Sequence, residues 1–491
     1  MTVWLIAKSA SVLLCALLLG CPAHAQGNGK PDIREESKGA EPKQGEGEVK
    51  PLISPNGIPA PSIATSLPPE LGGSFGLRQA LADRGFQFGV NYIGEGLANL
   101  SGGVRRGAIY EGRLELVLDG DLEKTFGFKG LSFHTNAFQI HGRGLSRYNI
   151  GNVLPVSNIE ATPATRLFEL WLDQKLFDDK VSVRFGQLAA DQEFIVASNA
   201  GLFNNGTFGW PGITALNLPS GGPAYPLATP GVRVKLEPAP NVTLLGAVFN
   251  GDPAGPQGPF DDPDPQVRNR NGLNFRLRDR PFVIGEGQVK YEIGGLPGTA
   301  KLGTWAHFGR FGDNRLASDF LTVANPEGAG VPLRRRGDYG FYGVLDQQIY
   351  RLPGGDADKG VGVFLRASAS PLQDRNIITA YVDGGVNFNG IIPGRPNDAF
   401  GFSAAYARFS PALSQLDRET AFFTSTPSPI RTAEAVIEAT YQAQIVDGFN
   451  IQPIAQYIIR PAGGVADPGD PTGARRLRNA FMVGVRSTVR Y

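Results

Sequence analysis

The chain ends in an alternating segment that finishes on an aromatic residue. Residues 481–491 read FMVGVRSTVRY, so Phe481, Val483 and Val485 share one face while Arg486 and Arg490 share the other. Successive side chains of a strand point to opposite faces, so this period of two predicts a strand with one apolar and one polar face. Outer-membrane barrels alternate in this way between lipid and lumen and carry aromatic girdles at the interfaces. If the pattern recurs along the chain, it predicts a closed transmembrane barrel.

The N-terminus has the features of an export signal. Lys8 supplies a positive region, residues 12–19 an apolar core, and Ala23-His24-Ala25 a small-x-small cleavage site. The apolar run is shorter than the roughly 20 residues that a membrane-spanning helix needs. We therefore expect residues 1–25 to be a signal peptide. A competing lipoprotein site, residues 18–21, would instead lead to lipidation of Cys21.

Both cysteines of the chain, Cys15 and Cys21, lie in this signal segment. A mature chain cut after Ala25 has no disulfide and no thiolate metal site, so its stability must come largely from backbone pairing. The formal net charge of +1 gives no reason to expect a nucleic acid or a strongly acidic partner.

A polar leader and a short helix precede the alternating part of the chain. Residues 26–70 are rich in Gly, Pro, Glu and Lys and cannot bury enough apolar surface to fold, which predicts a disordered periplasmic leader. Residues 73–85 (GSFGLRQALADRG) predict a helix with Ser74 as N-cap and Gly85 as C-cap. The barrel domain is therefore expected over residues 71–491, with strands from about residue 86.

Alternation with a period of two recurs in segments of about ten residues along the rest of the chain. Bacterial single-chain barrels have even strand numbers, so the count of seventeen candidates leaves sixteen and eighteen strands open. The candidate strands are 86–98, 110–122, 129–142, 165–177, 180–188, 229–238, 241–250, Arg268–Asp279, 281–293, 299–311, 338–351, 360–370, 376–388, 399–409, 432–446, 449–459 and 478–491.

The joins between these segments are of two kinds. Tight joins such as Asp447-Gly448 are strong hairpin signals. Long joins rich in Gly, Pro and Asn separate other pairs. Short turns that alternate with long loops are typical of outer-membrane barrels, whose turns face the periplasm and whose long loops face outward. The long joins are 142–164, 189–228, 251–267, 312–337, 410–431 and 461–477.

If the apolar parity faces lipid, the other parity identifies the residues of the lumen. These side chains form rows of mixed charge with occasional aromatic rings. A lumen of one sign would select ions, whereas balanced charges with aromatics suit a neutral polyhydroxylated solute. The candidate pore-lining residues are Arg113, Glu115, Glu169, Trp171, Asp173, Arg184, Arg233 and Lys235.

The aromatic residues of the long segment 189–228 allow two interpretations. Phe194, Phe203, Phe208 and Trp210 could belong to a loop that folds inward and narrows the pore, or could anchor the loop at the membrane interface. The sequence alone leaves both open.

Catalytic and metal-binding patterns are weak. Ser132, His134 and Asn136 share one strand face, but same-face neighbours about 7 Å apart do not form a proton relay on their own. No paired-histidine spacing or phosphate-binding glycine loop is present. An Asp-rich loop could bind calcium through Asp252, Asp261, Asp262 and Asp264 but is more simply a solvated outer loop. We expect no enzyme activity and no cofactor.

Five blocks of sequence resemble the carbohydrate-selective outer-membrane porins of the OprB family. They occur in order from residue 71 to the C-terminus, and they are GGSFGLRQALADRGFQFGVNYIGE, VSVRFGQLAADQEF, SGGPAYPLATPGVRVKLEP, FYGVLDQQIYRLPG and EATYQAQIVDGFNIQPIAQYIIRPAGG. The resemblance implies an all-β barrel of sixteen strands, with the short helix at its periplasmic mouth. The resemblance does not decide whether the protein remains a monomer or assembles into a homotrimer.

The resemblance also implies a function. The protein would sit in the outer membrane of a Gram-negative bacterium, in contact with the lipid bilayer and lipopolysaccharide, and would pass glucose and other neutral sugars by diffusion. Its aromatic terminus, Tyr491, is similar to the signal by which the barrel-assembly machinery recognises its clients. A general, organic-acid or aromatic-solute porin is the alternative in the same class. A barrel lipid hydrolase and a structural envelope tether are the alternatives in other classes.

Overall fold

Sixteen antiparallel strands pair in chain order to form a closed barrel in a computed structural model that describes residues 77–491. The predicted all-β barrel is confirmed, and the count resolves to sixteen. The strands are β1 Phe86–Ser101, β2 Gly107–Asp121, β3 Leu131–Gly142, β4 Ala164–Leu176, β5 Val181–Leu188, β6 Thr229–Ala239, β7 Val242–Phe249, β8 Phe282–Ile293, β9 Leu296–Ala317, β10 Pro332–Arg351, β11 Gly360–Ala369, β12 Ile378–Asn389, β13 Ala399–Phe409, β14 Ala433–Val446, β15 Phe449–Ile459 and β16 Ala480–Arg490.

The last strand closes the barrel against the first. β16 pairs with β1 from Asn91 opposite Arg490 to Asn99 opposite Met482. The terminal Tyr491 continues the ladder, because its N–H donates to the carbonyl of Val90 and its own carbonyl accepts from the Val90 N–H, both at 2.8 Å. Closure leaves no unpaired strand edge, which a sheet in lipid requires.

The two ends of the barrel differ in the length of their connections. One end, the turn rim, has short turns such as 177–180, 240–241, 294–295 and 447–448. The other end, the loop rim, carries the long connections, and all six that the sequence predicted lie there. Gly448 adopts a φ of 73° in its turn, a left-handed conformation that glycine reaches without steric cost.

One predicted strand is wrong. Residues Arg268–Asp279 belong to the connection between β7 and β8, where no strand forms. Their alternation of arginine with Leu273, Phe275 and Leu277 resembles a strand pattern, but these apolar side chains are exposed and the segment has no neighbour to pair with along its length. The tight join predicted at residues 278–281 is therefore the end of a long loop.

The inside and outside of the wall follow the predicted parity. Phe185, Val232 and Phe402 point outward and are exposed. Arg486 and Glu438 point inward and are buried. An apolar outer face and a polar inner face are the pattern of a barrel whose outside meets hydrocarbon.

Few helices accompany the strands. The first lies within the predicted helix 73–85, whose first residues are outside the described part of the chain together with the predicted signal peptide 1–25 and leader 26–70. No helix among residues 77–491 is long and apolar enough to cross a membrane. The helices are α1 Leu77–Ala82, α2 Leu122–Phe126, α3 Gly212–Asn217, α4 Pro265–Arg268 and α5 Pro411–Thr424.

Candidate functional site: the constricted lumen

The connection between β5 and β6, residues 189–228, folds into the barrel and is called the inward loop below. Its backbone bonds to carboxylates on distant parts of the inner wall. Ile195 N donates to Glu286 at 2.8 Å on β8, and Asn204 N donates to Glu438 at 2.6 Å on β14. Strands on several sides of the barrel therefore hold the loop across the lumen. Further wall residues that bond to it are Asp346, Tyr381, Asn387, Gln452 and Gln456.

The aromatic residues of the inward loop are buried, which decides between the two interpretations of this segment. Phe194, Phe203 and Phe208 are each exposed by 3% or less. The Phe203 ring lies 5.3 Å from that of Phe208 and 5.9 Å from that of Phe364 on β11. The loop therefore packs an apolar underside against an apolar part of the inner wall, and its rings do not anchor it at the membrane interface.

A second connection, residues 143–163 between β3 and β4, also enters the lumen, which strand alternation could not predict. Leu154 N donates to Glu434 at 2.7 Å, and the carbonyl of Val156 accepts from Gln456 at 2.8 Å. Arg486 bonds to Asn158 of this loop as well as to Glu95. Both loops therefore bond to the inner face of β14 and β15, and the connection between β3 and β4 also bonds to β16.

Four ionic side chains from β4, β5, β6 and the inward loop form one network, the Asp173 cluster. Asp173 on β4 accepts hydrogen bonds from Arg184 Nε at 3.1 Å and from Arg233 Nη2 at 2.9 Å. Glu193 of the inward loop lies 2.7 Å from Arg233 and 3.6 Å from Arg184. Ser182 completes it by donating to Asp173 at 2.5 Å. Two carboxylates thus balance two guanidinium groups, one of the carboxylates being supplied by the loop.

Trp171 stands between two stacked partners beside this cluster. The Arg184 guanidinium lies 3.7 Å from its ring centroid, a cation–π contact, and the His134 ring stacks at 4.7 Å. These partners come from β5 and β3, the two neighbours of β4, so both faces of the indole are covered. Its Nε1 donor is buried without a hydrogen-bond partner among the described residues. The indole therefore packs within the wall, between Arg184 and His134.

Arg113 and Glu115 lie together in a second group that is more deeply buried. Arg113 contacts Glu115 at 3.3 Å, and its guanidinium lies 4.6 Å from the Phe138 ring and 5.3 Å from that of Tyr225, which belongs to the inward loop. Glu115 also accepts from Asn136 at 3.0 Å. The Arg113–Glu115 pair therefore helps to hold the inward loop in position through the contact between Arg113 and Tyr225.

Glu169 has a similar supporting position. Its carboxylate accepts from Ala189 N at 3.1 Å, where the inward loop begins, and lies 4.0 Å from His134. Lys235, by contrast, pairs with Glu237 at 3.3 Å and keeps 28% of its side chain exposed, the largest exposed fraction among the predicted pore-lining residues.

The structure brings some of the predicted residues together and places others against the inward loop. Trp171, Asp173, Arg184 and Arg233 come together in one place, and Lys235 lies two residues beyond Arg233 on β6. Sequence reasoning missed Glu193, because a loop residue has no strand parity by which its direction could be predicted.

The charge of the inward loop depends on its burial. Burial opposes ionisation of Glu193, but the guanidinium groups of Arg184 and Arg233 outweigh it, so its pKa lies below the ordinary value. Asp191, two residues earlier, has no such cation and burial raises its pKa to about 7, although the Tyr225 N–H donates to it at 2.9 Å. The loop therefore keeps one carboxylate ionised at the constriction and holds another near its titration point.

The residues of the weak catalytic and metal-binding patterns form hydrogen bonds and ion pairs with other parts of the chain. Ser132 Oγ donates to the carbonyl of Asp173 at 3.4 Å, and His134 Nδ1 bonds to Asp119 at 2.6 Å. In the Asp-rich loop, Asp264 bonds to Arg147 at 2.7 Å and to Thr162 at 2.9 Å. These contacts leave the serine without the histidine as a base and bind the Asp264 carboxylate to an arginine.

Known proteins resemble this chain over most of its length. A family model described as carbohydrate-selective porin, OprB family, matches residues 105–491. Porin B of Pseudomonas aeruginosa is 24% identical over 436 residues, which cover 85% of this chain and 90% of that protein. The high-pH structure of Pseudomonas putida OprB matches with a TM-score of 0.73 at 21% identity, covering 86% of this chain and 97% of that one. The low-pH structure matches with a TM-score of 0.52 at 19% identity, covering 88% and 100%.

Proposed function

Because the chain belongs to the OprB family of carbohydrate-selective porins and is a sugar channel of the outer membrane, we propose that small neutral sugars such as glucose diffuse past the Asp173 cluster. The observation that carries this proposal is the placement of Glu193. The inward loop brings this carboxylate within 2.7 Å of Arg233 and so adds a second carboxylate to the two guanidinium groups of the wall.

The balance of charge in the cluster favours a neutral solute. Each guanidinium group already has a carboxylate partner, so the site has no net charge with which to hold an anion or a cation. A sugar hydroxyl can both donate to a carboxylate and accept from a guanidinium group, so it can exchange partners along such a row.

Weak individual contacts between the solute and the channel wall suit diffusion through a channel. Conduction requires binding that is favourable enough for entry and weak enough for release. Arg184 and Glu193 of the cluster and Lys235 beside it keep exposed side-chain surface, 13%, 23% and 28%, and we assign them the direct contacts with solute. Arg113, Glu115 and Glu169 hold the inward loop in position in this account.

We also propose an orientation and partners for the barrel. The loop rim faces the exterior and the turn rim faces the periplasm. The outer face contacts the bilayer and lipopolysaccharide, and the barrel-assembly machinery recognises the strand that ends at Tyr491. A homotrimer is the assembly to test by mass measurement in detergent. We assign the protein no catalytic step.

Liposome swelling with solutes of similar size and different charge tests the proposal. Glucose should enter faster than the anion gluconate or the cation glucosamine. Replacing Arg184→Gln removes one charge from the balanced cluster and should slow glucose while admitting glucosamine more readily. Arg408→Gln, which changes an exposed arginine on the outer face of β13, is the matched control and should behave as wild type.

The organic-acid alternative makes the opposite prediction. If gluconate enters faster than glucose, and Arg184→Gln abolishes that preference, the constriction acts as a cationic filter. The assignment of neutral sugars to the Asp173 cluster would then be withdrawn.

A further inference from the structure

The outer face of β9 and β10 carries a group of arginines that has no part in the channel. Arg310 on β9 and Arg334 and Arg336 on β10 are exposed, and Arg310 lies directly opposite Arg336. Directly opposed side chains have Cβ atoms about 4.5–5.5 Å apart, and like charges in this arrangement are destabilising. The strand pair therefore holds guanidinium groups close together at an energetic cost.

The direction of these side chains is fixed by the register. Arg334 is opposite Gly312 and Arg336 opposite Arg310 on the outer face, whereas Arg335 between them is opposite the buried Phe311 on the inner face. The ladder shifts between Arg336 and Asp338, where Gly337 adopts a φ of 68°. The irregularity lets Arg336 face outward although Asp338, two residues later, is buried inside.

Arg335, which points inward between the two outward arginines of β10, differs from them because it has carboxylate partners. Arg335 binds Asp313 at 2.8 Å and Asp374 at 3.2 Å. Within residues 77–491, no hydrogen bond or ion pair joins the side chain of Arg310, Arg334 or Arg336 to another residue. These three cations therefore face the surroundings of the barrel without a counter-charge from the chain.

An apolar surface begins directly beside them, toward the turn rim. Phe308, Tyr339 and Phe341 are exposed on the same outer face by 58%, 39% and 54%. The Tyr339 and Phe341 rings meet edge to face at 5.7 Å, and Leu302 continues the surface with 75% exposure. Cations at the rim above aromatic and aliphatic side chains match an amphiphile with an anionic head and hydrocarbon tails.

We propose that this face binds a phosphorylated lipid of the outer leaflet. The phosphate lies between Arg310 and Arg336, with Arg334 as a further donor, and acyl chains cover Phe308 and Phe341. Guanidinium groups bind phosphate through paired N–H donors, and a phosphate between two of them removes their mutual repulsion. The proposal rests on the membrane location of the barrel and is independent of the sugar path.

Binding of lipid A to the purified full chain in dodecyl maltoside, measured by native mass spectrometry, tests the site. The probes are bis-phosphorylated lipid A, the same lipid A after removal of both phosphates, and inorganic phosphate. The double variant R310Q/R336Q should bind bis-phosphorylated lipid A at least about tenfold more weakly than wild type, because two charge-assisted contacts are lost. Removal of the phosphates should weaken binding to wild type by a similar factor.

A charge-matched control separates this site from general attraction to an anionic lipid. R408Q/R478Q also removes two exposed arginines, of which Arg408 lies opposite only Ala380 and Ala433. It should bind like wild type. The single variant R334Q should bind more weakly than wild type and more tightly than R310Q/R336Q, which keeps the test informative if the double variant folds poorly. Heat-dependent migration in gels verifies folding of each variant.

Three results would overturn the proposal. The first is equal binding of lipid A by R310Q/R336Q and R408Q/R478Q. The second is unchanged binding after removal of the phosphates. The third is binding of inorganic phosphate alone with the same dependence on Arg310 and Arg336, which would show an anion site that does not recognise lipid. Glucose entry into liposomes should be unchanged in R310Q/R336Q.

Discussion

Arg366 of β11 and Asp383 of β12 form a fully buried ion pair inside the barrel. Arg366 Nε lies 2.9 Å from Asp383 Oδ1 and Nη2 lies 2.5 Å from Oδ2, while neither side chain is exposed. The other N–H groups of Arg366 donate to the carbonyls of Ile195, Thr207 and Gly209 at 2.9–3.0 Å. One guanidinium group therefore binds the wall and the inward loop together.

Replacing Arg366→Lys should release the inward loop while the barrel remains closed. A single ammonium group cannot reach both oxygens of Asp383 and the loop carbonyls, and breaking a buried pair costs about 3–5 kcal/mol. We expect a several-fold larger single-channel conductance and reduced discrimination between glucose and larger sugars. Arg408→Lys on the outer face is the control. Unchanged conductance of a folded Arg366→Lys variant would show that this residue does not set the constriction.

Asp191 should make the stability of the protein depend on pH. Burial raises its pKa to about 7, above the value of about 3.9 for an unfolded chain, so the folded state binds the proton more tightly. Its contribution to stability is therefore present at low pH and is lost as the pH rises through about 7. Asp191→Asn cannot ionise and should lack this loss.

Urea unfolding in lipid vesicles at pH 5 and pH 8 measures this effect. Relative to Asp191→Asn, wild type should lose about 1 kcal/mol or more of unfolding free energy between the two conditions. Asp178→Asn, in an exposed turn of the turn rim, controls for the change in net charge. Parallel pH dependence of wild type and Asp191→Asn would contradict the assignment.

Deletion of Tyr491 should reduce assembly more than transport. The residue completes the β1–β16 ladder through two backbone hydrogen bonds to Val90, and its ring lies 6.2 Å from that of Phe88, but it is remote from the Asp173 cluster. We expect a lower yield of folded barrel in outer-membrane fractions, with normal glucose entry per folded molecule. Tyr491→Phe, which keeps an aromatic terminus, should restore the yield. Equal yields of the deletion and wild type would remove the assembly role.

The strands could be predicted because residues of a barrel wall in lipid must alternate between apolar side chains that face lipid and polar side chains that face the lumen. Alternation identified β16 and its closure on β1 as well as the two unequal rims, since lipid and water select opposite side chains at every second position. The same rule failed for Arg268–Asp279. There, arginines alternate with Leu273, Phe275 and Leu277 in a loop, and alternation alone does not reveal whether a neighbouring strand is present.

The constriction was harder to predict, because its contacts join positions far apart in sequence. Asn204 meets Glu438 and Ile195 meets Glu286 only after the barrel has closed. Strand parity placed Asp173, Arg184 and Arg233 on the inner wall correctly, but gave no direction for Glu193. It also could not show that the inward loop contacts wall residues such as Arg113.

The most direct test of the sugar channel is the conductance of the wild-type protein in planar bilayers during addition of glucose. The account predicts a small, steady conductance that falls to a plateau as glucose occupies the constriction, with glycerol of equal viscosity producing a smaller decrease. A large conductance that responds equally to glucose and to glycerol would contradict a sugar-binding constriction, while leaving the barrel fold intact.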